Sequence, residues 1–555
     1  IKRKLEELFL ALEIEKVYTK NEILEMYLNQ VYFGAGAWGI DQASQKYFSK
    51  NIQEVSISEA ALLAGLLQSP SALDPTKHYD RAIKRRNVVL EQMYELEMIT
   101  KEEYDAAKNE KVAIKEGGGN FIEREYPYYT DAVIDEATSV YGLTQEEILT
   151  RGYQIYTELD QDLQTVLENV YSRDSNFPKG RGGEIVQSGA VLLDPKTGGV
   201  LALVGGREEP VFRGFNRATH LKAQPGSTLK PLAVYTPALE EGYKYNSMLV
   251  DELKTYKDYT PTNYDNHYRG QVPMYETVEK SINASTVWLL NEIGLEKGIE
   301  SLKKFGIPLE KEDHHLAIAL GGMHKGISPL QLAEAYSVFP NEGKREKGHL
   351  ITKIVGPTGK VIAKYKEETT KVTSKSVANE MTSMLLNVVE SGTGEEAAIN
   401  GVEIAGKTGS TQLPYEDING TKDQWFVGYT QNLVGAIWLG YDQTDREHYL
   451  SSSSSDTVVP IFRKIMEGAI NFADPGEFKV VSVNKRLAGS DLEKKNINVN
   501  IDMDEIKEKA GQLENKLSEE STKWKQVFEE IKKDASTLKN KFLEGLHILK
   551  DLLKE

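Results

Sequence analysis

Cysteine is absent from the 555 residues of this chain, and its absence excludes three kinds of chemistry at once. Without thiols the chain forms no disulfide, has no thiolate nucleophile and cannot build a cysteine-based zinc site. The nine histidines show no spacing typical of metal ligands, so we expect neither a metal ion nor a cofactor. A cysteine-free composition fits an exported protein but does not by itself identify a compartment.

Long hydrophobic runs and basic clusters are also missing. No apolar segment reaches the length needed to span a bilayer, and no signal peptide opens the sequence. The net charge of −17 argues against a general nucleic-acid-binding protein. The first residues, I-K-R-K-L-E-E-L-F-L, enter a helical pattern without a lead-in, which we interpret as the trace of a segment removed upstream.

The length predicts three or four domain-sized units, and changes of pattern indicate their boundaries. Residues 1–115 have a helical pattern, and residues 116–186 form a mixed, linker-like region that begins at a Gly-rich break. Residues 187–470 alternate between strand and helix patterns, and residues 471–555 form a tail. We therefore expect a multidomain α+β protein.

Local signals support these helices and strands. Two apolar runs flank a Pro/Gly turn at Ala190–Gly206 and predict a β-hairpin. Together with strand patterns at Asp423–Thr430 and Leu433–Tyr441, they predict an antiparallel sheet flanked by helices. Within residues 1–115, three capping boxes predict helix starts: Thr19-x-x-Glu22, Ser56-x-x-Glu59 and Thr100-x-x-Glu103.

The tail carries apolar residues at a spacing of about 3.5 residues among Lys and Glu, which predicts a long amphipathic helix or coiled coil. Folding back onto its own protein and binding a separate partner remain equally good interpretations of this pattern. The apolar positions are Ile506, Ala510, Leu513, Leu517, Trp524, Phe528, Ile531, Ala535, Leu538, Phe542, Leu549 and Leu552.

Several motifs carry little information by themselves. S-x-x-K occurs four times, at Ser227, Ser301, Ser482 and Ser536, and the last copy falls on the charged face of the tail helix. The G-x-G-x-x-G at Gly34–Gly39 follows a helical pattern instead of a strand, so it predicts a loop and not a dinucleotide site. No G-x-S-x-G elbow is present, which disfavours a Ser-His-Asp hydrolase.

Ser227 has the context of an activated nucleophile. Pro225-Gly226 predicts a turn and the following residues a helix, where Pro231 is tolerated because first-turn amides need no acceptor. Ser227 thus begins a helix, with an unpaired backbone N–H at the positive end of the dipole. Lys230 falls on the same face and can reach the hydroxyl. With a pKa lowered by burial and neighbouring cations, it can act as general base.

Two further motifs follow in chain order. Ser281-x-Asn283 comes after an amphipathic segment, and Lys407-Thr408-Gly409 lies where an edge strand is expected. Second copies, K-T-G at Lys196 and S-x-N at Ser482, lie in the predicted hairpin turn and beyond the last strand pattern. Only one combination of these copies places S-x-x-K, S-x-N and K-T-G in this order within one domain-sized span. The set of three is therefore specific, although each motif alone is a weak signal.

At these residues the chain resembles the penicillin-binding proteins and serine β-lactamases. N-R-A-x-x-x-x-x-Q-P-G-S-T-L-K-P around Ser227 and G-K-T-G-S-T at Gly406–Thr411 resemble the transpeptidase domain of class A penicillin-binding proteins, which are bifunctional peptidoglycan synthases. Arg3–Glu7, Glu22–Gly34 and Tyr47–Pro70 resemble late motifs of the family-51 glycosyltransferase domain. The resemblance covers roughly residues 1–470.

For residues 1–115 the resemblance implies the C-terminal part of a lysozyme-like glycosyltransferase domain, with Arg3, Lys4 and Glu7 as remnants of its site. In the family, the principal catalytic Glu and the membrane helix lie N-terminal to the segment that corresponds to Ile1. We therefore expect no glycan polymerisation by this chain, whatever its parent does. The resemblance places the parent at the extracytoplasmic face of the bacterial cell membrane.

For residues 187–470 the resemblance implies that Ser227 attacks the D-Ala-D-Ala carbonyl of a stem peptide and that an amine of a second stem resolves the acyl-enzyme. Lys230 is then the base, Ser281 the proton relay to the leaving amine, and Asn283 the partner of the substrate amide and Lys230. Lys407 adds positive potential. Backbone N–H groups of Ser227 and Ser410 form the oxyanion hole, and the substrate-binding residues are Thr408, Gly409, Ser410 and Thr411.

The implied partners are stem peptides, lipid II-derived glycan and β-lactam antibiotics, together with cell-wall synthesis or division proteins as candidates for the tail helix. Two alternatives remain. A carboxypeptidase or β-lactamase-like hydrolase would need a base for fast deacylation, and no convincing Glu motif lies between Ser281 and Lys407. A non-enzymatic β-lactam sensor or scaffold would use acylation or the tail for signalling.

Overall fold

The computed structural model describes residues 2–70, 72–115, 124–257, 259–415 and 417–496, and the statements below concern these residues. Of the described residues, those up to Asn484 form one compact unit and those from Lys485 onwards belong to another. The predicted amphipathic helix of residues 501–555 lies outside the described part of the chain. Among the helices that are described, none is long and apolar enough to cross a membrane.

Helices dominate the first and middle parts of the chain, and strands are concentrated after Gln187. In chain order the helices are α1 (Lys2–Val17), α2 (Lys20–Gln30), α3 (Ile40–Phe48), α4 (Ile57–Leu66), α5 (Tyr79–Glu95), α6 (Lys101–Asn109), α7 (Pro127–Ser139), α8 (Gln145–Thr150), α9 (Gln161–Tyr171), α10 (Arg217–His220), α11 (Thr236–Glu240), α12 (Met274–Glu279), α13 (Ala284–Ile293), α14 (Leu295–Lys304), α15 (Pro329–Tyr336), α16 (Lys375–Ser391), α17 (Val458–Ala469) and α18 (Val483–Asn496). The strands are β1 (Tyr32–Gly34), β2 (Ala37–Trp38), β3 (Gln154–Thr157), β4 (Gln187–Leu193), β5 (Val200–Val204), β6 (Met248–Asp251), β7 (Gly270–Pro273), β8 (Lys344–Glu346), β9 (Ile351–Val355), β10 (Val361–Lys364), β11 (Thr369–Lys371), β12 (Ala405–Gln412), β13 (Thr421–Tyr429) and β14 (Val434–Gly440).

The helical prediction for residues 1–115 is confirmed over the part described. Each of the three predicted capping boxes begins a helix, because the Ser or Thr hydroxyl accepts the Glu N–H while the Glu carboxylate accepts the cap N–H. The Gly-rich motif at Gly34–Gly39 forms the hairpin of β1 and β2 directly after a helix. It is therefore a tight turn of the backbone and not a phosphate-binding loop.

The central sheet of residues 187–470 has five antiparallel strands in the order β12–β13–β14–β4–β5. The predicted hairpin is the β4–β5 pair, and the two later strand patterns are β13 and β14. Phe426 and Ile437 on one face join the apolar core formed with α9 and α17. Trp425 and Trp438 are paired across the opposite face, and α15 contacts β4 and β14. The strand that carries K-T-G, β12, lies at the edge of this sheet.

A second sheet joins two distant parts of the chain. Its order is β10–β9–β3, with Ile155 of β3 opposite Ile354 of β9. The linker-like region that follows residue 124 thus forms one sheet with strands inserted between α15 and α16. Such a pairing leaves no local sequence signal, because residues 158–350 separate the two paired strands in the chain.

Candidate active site

Ser227 lies in a tight turn that opens an irregular helical segment. The predicted helix is present, but it consists of a 3-10 helix (Gly226–Leu229), a π-helix (Pro231–Tyr235) and then α11 instead of one α-helix. The prolines explain the difference, because Pro231 and Pro237 lack the N–H that a regular α-helix needs. The partly buried side chain of Ser227 makes no hydrogen bond to any described residue, which leaves its hydroxyl available.

Gly226 brings this turn against the edge strand. Its φ of +55° lies in the left-handed region, and a Cβ there would be 2.5 Å from the carbonyl oxygen of Ser410. Gly409 has the reciprocal constraint, since a Cβ on it would be 2.4 Å from the carbonyl oxygen of Pro225. Glycine at both positions therefore allows the backbones around Ser227 and Ser410 to approach closely.

Two buried aromatic side chains hold the turn, and the sequence motifs gave no indication of them. Trp425 Nε1 donates to the carbonyl of Gln224 at 2.8 Å, and the Tyr336 hydroxyl donates to the carbonyl of Thr228 at 2.6 Å. Both side chains are fully buried. The turn is thus attached to strand β13 on one side and to helix α15 on the other.

Lys230 is fully buried, and its amine faces the S-x-N motif. Nζ lies 2.7 and 3.0 Å from the carbonyl oxygens of Ser281 and Ile282 and 2.7 Å from Oδ1 of Asn283, which are three acceptors for an amine that has two N–H groups when neutral and three when protonated. Burial, and secondarily the charge of Lys407, lowers the pKa of Lys230 well below its ordinary value. Contrary to the expectation, no hydrogen bond joins this amine to Ser227 among the described residues, because the three oxygens hold it.

Ser281 lies between two lysine amines. Lys407 Nζ donates to its Oγ at 2.8 Å, and Lys230 Nζ is 3.4 Å from the same atom. Ser281 has a left-handed φ of +55°, an uncommon backbone conformation that is typical of functional turns. Burial lowers the pKa of Lys407 to about 7. The structure therefore brings together the S-x-x-K lysine, the S-x-N serine and the K-T-G lysine.

Asn283 is held by a buried polar network that the motif analysis missed. Its side-chain Nδ2 donates to the carbonyl of Thr262 at 2.9 Å, and its backbone N–H donates to Oδ1 of Asn263 at 3.0 Å. Asn263 donates in turn to Asp251 at 2.7 Å, and Arg269 N–H donates to the same carboxylate at 3.0 Å. Asn263 stands in P-T-N-Y-D, where turn-forming residues are the only local signal.

The four predicted substrate-binding residues of β12 separate into two groups. Thr408 and Ser410 point to one side of the strand, with Thr408 Oγ1 2.7 Å from Oγ1 of Thr393. The Thr411 hydroxyl is bonded to Asp423 and does not face a ligand site: it donates to the Asp423 carboxylate at 2.8 Å and accepts the Asp423 N–H at 3.0 Å. Because a hydroxyl has one proton, Thr411 has none left for a carboxylate.

The other copies of the motifs lie away from this site. Ser301 is buried in α14 and donates to the carbonyl of Leu232, and Lys196-Thr197-Gly198 is the turn between β4 and β5. Asn484 of the second S-x-N accepts from Asn387 at the start of α18. The Ser536 copy lies outside the described residues, and so do the side chains of Arg3, Lys4 and Glu7 in α1.

No cluster of three potential metal ligands occurs in the part of the chain that the structure describes.

Two protein families match the chain. The penicillin binding protein transpeptidase domain matches residues 188–467, and the transglycosylase family matches residues 1–94. The first match spans half of the chain and contains Ser227, Ser281 and Lys407.

Two relatives have sequences similar over most of the chain. Penicillin-binding protein 2a of Streptococcus pneumoniae is 41% identical over 495 residues, which are 88% of this chain and 67% of the relative. Penicillin-binding protein 1F of Bacillus subtilis is 42% identical over 460 residues, 82% of this chain and 62% of the relative. The chain thus spans about two thirds of the length of these relatives.

Solved structures share the fold. Penicillin-binding protein 1A from Haemophilus influenzae has a TM-score of 0.56 at 24% identity, covering 84% of this chain and 87% of that one. PonA1 from Mycobacterium tuberculosis, solved in complex with penicillin V, has a TM-score of 0.57 at 23% identity, covering 64% and 97%. From the two family matches and the relatives above 40% identity, we conclude that the chain belongs to the class A penicillin-binding proteins.

Proposed function

We propose that this chain is a serine-type D-Ala-D-Ala transpeptidase that cross-links peptidoglycan stem peptides and is acylated by β-lactams. The single observation that carries the proposal is the position of the Ser281 hydroxyl between the amines of Lys407 and Lys230, at 2.8 and 3.4 Å. A proton that passes from the Ser227 hydroxyl to a leaving amine can travel through Lys230 and then Ser281, which this arrangement brings together.

In the acylation step Ser227 Oγ attacks the carbonyl carbon of the penultimate D-Ala, and its proton passes to Lys230. Burial favours the neutral amine of Lys230 that this transfer requires. Once protonated, the ammonium has three N–H groups for the three oxygens already around it: those of Ser281, Ile282 and Asn283. These fixed acceptors stabilise the charge that develops during proton transfer.

Breakdown of the tetrahedral intermediate expels the terminal D-Ala. Its amine takes the proton of Ser281, which Lys230 replaces, so the C–N bond breaks while the ester to Ser227 remains. Lys407 supports this relay because its N–H occupies a lone pair of Ser281 Oγ and leaves the hydroxyl proton to be donated to another group. An amine from a second stem then attacks the ester and regenerates the Ser227 hydroxyl.

The oxyanion of the intermediate is bound by the backbone N–H groups of Ser227 and Ser410. The close approach of Gly226 to the Ser410 backbone supports this assignment. One such donor contributes about 3 kcal/mol to lowering the barrier in a known serine protease. Thr408 and Ser410 bind the terminal carboxylate of the substrate through their hydroxyls, whereas Thr411 has a positioning role through Asp423.

The hydrolase alternative lacks support in the site. No acidic side chain of the described residues hydrogen-bonds Lys230 or Lys407, and none contributes to the pKa shift of either lysine. A carboxylate base to activate water against the acyl-enzyme is therefore missing among the described residues that contact these lysines. An amine is a stronger nucleophile than water, so the amine of a second stem attacks the ester without prior deprotonation and passes its proton to Lys230 once the C–N bond forms.

We further infer that the site works at the extracytoplasmic face of the bacterial cell membrane, where stem peptides are found, with the tail as a binding segment for cell-wall synthesis or division proteins.

The experiment is labelling with a fluorescent penicillin, followed by the intact mass of the chain. We expect one penicillin per chain, lost in Ser227→Ala. The matched control is Ser536→Ala, which removes the serine of the repeated S-T-L-K and should label normally. Continued labelling of Ser227→Ala refutes the assignment. Turnover of a thioester stem analogue with a D-amino acid as acceptor separates a transpeptidase from a sensor, which would be acylated without turnover.

A further inference from the structure

Four hydroxyl groups meet beside the edge strand β12, and only two of them belong to the K-T-G motif. Thr408 Oγ1 lies 2.7 Å from Oγ1 of Thr393, and Ser410 Oγ lies 2.5 Å from Oγ of Ser454. Thr393 follows helix α16, and Ser454 belongs to the serine-rich loop before α17. Neither residue is part of a motif that the sequence analysis used.

The proton of Ser454 is already committed. Its hydroxyl donates to the carbonyl of Gly409 at 2.8 Å, and a carbonyl cannot donate in return. In the short contact between the two serines, Ser410 is therefore the donor and Ser454 the acceptor. While this bond is intact, the exposed oxygen of Ser410 presents lone pairs and no proton to the cleft. A carboxylate, which only accepts hydrogen bonds, must first draw that proton away from Ser454.

The threonine pair has the opposite consequence. Neither threonine hydroxyl makes another side-chain hydrogen bond to a described residue, so either one can donate to the other, and Thr393 can donate whenever the Thr408 proton goes to a ligand. When Thr393 donates to Thr408, the proton of Thr408 is free for a ligand, and the two bonds strengthen each other. Thr393 therefore favours the carboxylate-binding orientation of its neighbour, whereas Ser454 disfavours that of Ser410.

We propose that Thr393 and Ser454 are positioning residues that tune, in opposite directions, how strongly Thr408 and Ser410 bind the terminal carboxylate of a substrate or β-lactam. The proposal rests on the transpeptidase function proposed above and extends it to two residues outside the family motifs. The affinity of the free enzyme for a carboxylate then depends on two hydroxyl pairs. Thr393 leaves the Thr408 proton available to the carboxylate, whereas Ser454 accepts the Ser410 proton and keeps it from the carboxylate.

The test compares second-order acylation rate constants for benzylpenicillin and for its methyl ester, which lacks the carboxylate charge. We expect Thr393→Val to lower the acid-to-ester ratio about fivefold, or about 1 kcal/mol, and Thr393→Ser to restore it. Ser454→Ala should raise the ratio by up to about fivefold, since the Ser410 proton is released. A general loss of folding would change both rate constants together and leave the ratio unaltered.

The control is Ser453→Ala in the same loop, because the Ser453 hydroxyl donates to Asp456 and not to the strand. It should leave the ratio unchanged. An unaltered ratio in a Thr393→Val protein whose rate constant for the methyl ester equals that of the parent, or a lowered ratio in Ser454→Ala, overturns this proposal. Failure of the unmodified chain to be acylated by either compound would instead overturn the proposed function.

Discussion

Lys407 Nζ lies 2.8 Å from Ser281 Oγ, although 126 positions separate the two residues in the chain. The contact joins the edge of the central sheet to the turn before α13 and completes the proposed relay. It also forces a lysine into a fully buried position near a second buried lysine. Function and stability should therefore oppose each other at this residue.

The first prediction concerns Lys407→Met, which removes the charge and keeps most of the volume. We expect acylation to fall by about a hundredfold, comparable to the loss of an oxyanion-type donor. We expect the melting temperature at pH 7 to rise, by about 2–4 °C for each kcal/mol regained. Thermal melts and penicillin acylation of both proteins measure this. The exposed Lys422 of β13 provides a control, since Lys422→Met should change neither quantity appreciably.

The same lysine predicts how stability depends on pH. The folded-state pKa of Lys407 is about 7, below its ordinary value of 10.5, so the unfolded chain binds more protons between these values. The free energy of unfolding should therefore rise as pH increases from about 7 towards 10.5, and this gain should be reduced in Lys407→Met. Melting curves between pH 6.5 and 9.5 on both proteins test the sign. A variant with the same pH dependence as the parent would contradict it.

The acylation rate should fall as pH rises through about 7, because Lys407 then loses the proton that orients Ser281. On the acid side it should fall when Lys230 becomes protonated, at a pH well below that of an ordinary lysine. A pH profile of benzylpenicillin acylation from pH 5 to 9 measures both limbs. An acylation rate that keeps rising up to pH 9 would contradict the roles assigned here to Lys230 and Lys407.

Thr408 and Thr411 should respond differently to the same substitution. Thr411→Val removes a hydrogen bond from the buried Asp423, whose pKa is raised by burial, and should cost about 1–3 kcal/mol of stability. Thr408→Val should leave the urea midpoint nearly unchanged and reduce acylation by carboxylate-bearing penicillins. Urea unfolding and acylation rates, with Thr411→Ser as the conservative variant, separate the two roles. Equal stability losses in both valine variants would contradict the assignment.

Tyr336→Phe tests whether the hydrogen bond from Tyr336 to the Thr228 carbonyl positions the turn that carries Ser227. The hydroxyl donates to the carbonyl of Thr228 at 2.6 Å, and its loss should cost about 1 kcal/mol of stability and lower acylation about tenfold, because the nucleophile is less well oriented. Tyr429→Phe is the matched control: that tyrosine is equally buried but bonds Thr382 at 3.0 Å. It should lose similar stability with little change in acylation rate. Equal acylation losses in both variants would count against the idea.

Much of the fold was predictable where the signal is local. The capping boxes at Thr19, Ser56 and Thr100 formed as expected because each bond closes within one helical turn. The β4–β5 hairpin follows from two apolar runs and one Pro/Gly turn. The helix predicted from Ser227 onwards is present, but its division into 3-10, π and α segments around two prolines was not predicted. Domain boundaries at residues 115, 186 and 470 stay predictions.

The sequence by itself determined which motifs are present, their order and the residue types that the chemistry requires. Tertiary structure decided which atoms meet: Lys407 with Ser281, Asn263 with Asn283, and Ser454 with Ser410. It also separated Thr411 from the other hydroxyls of its strand. The alternation of side chains along a strand predicts that Thr408 and Ser410 point to one face and Thr411 to the other. It does not predict which residues pack against each face. Those neighbours come from distant segments, whose approach depends on the closure of long loops and on the packing of the whole core.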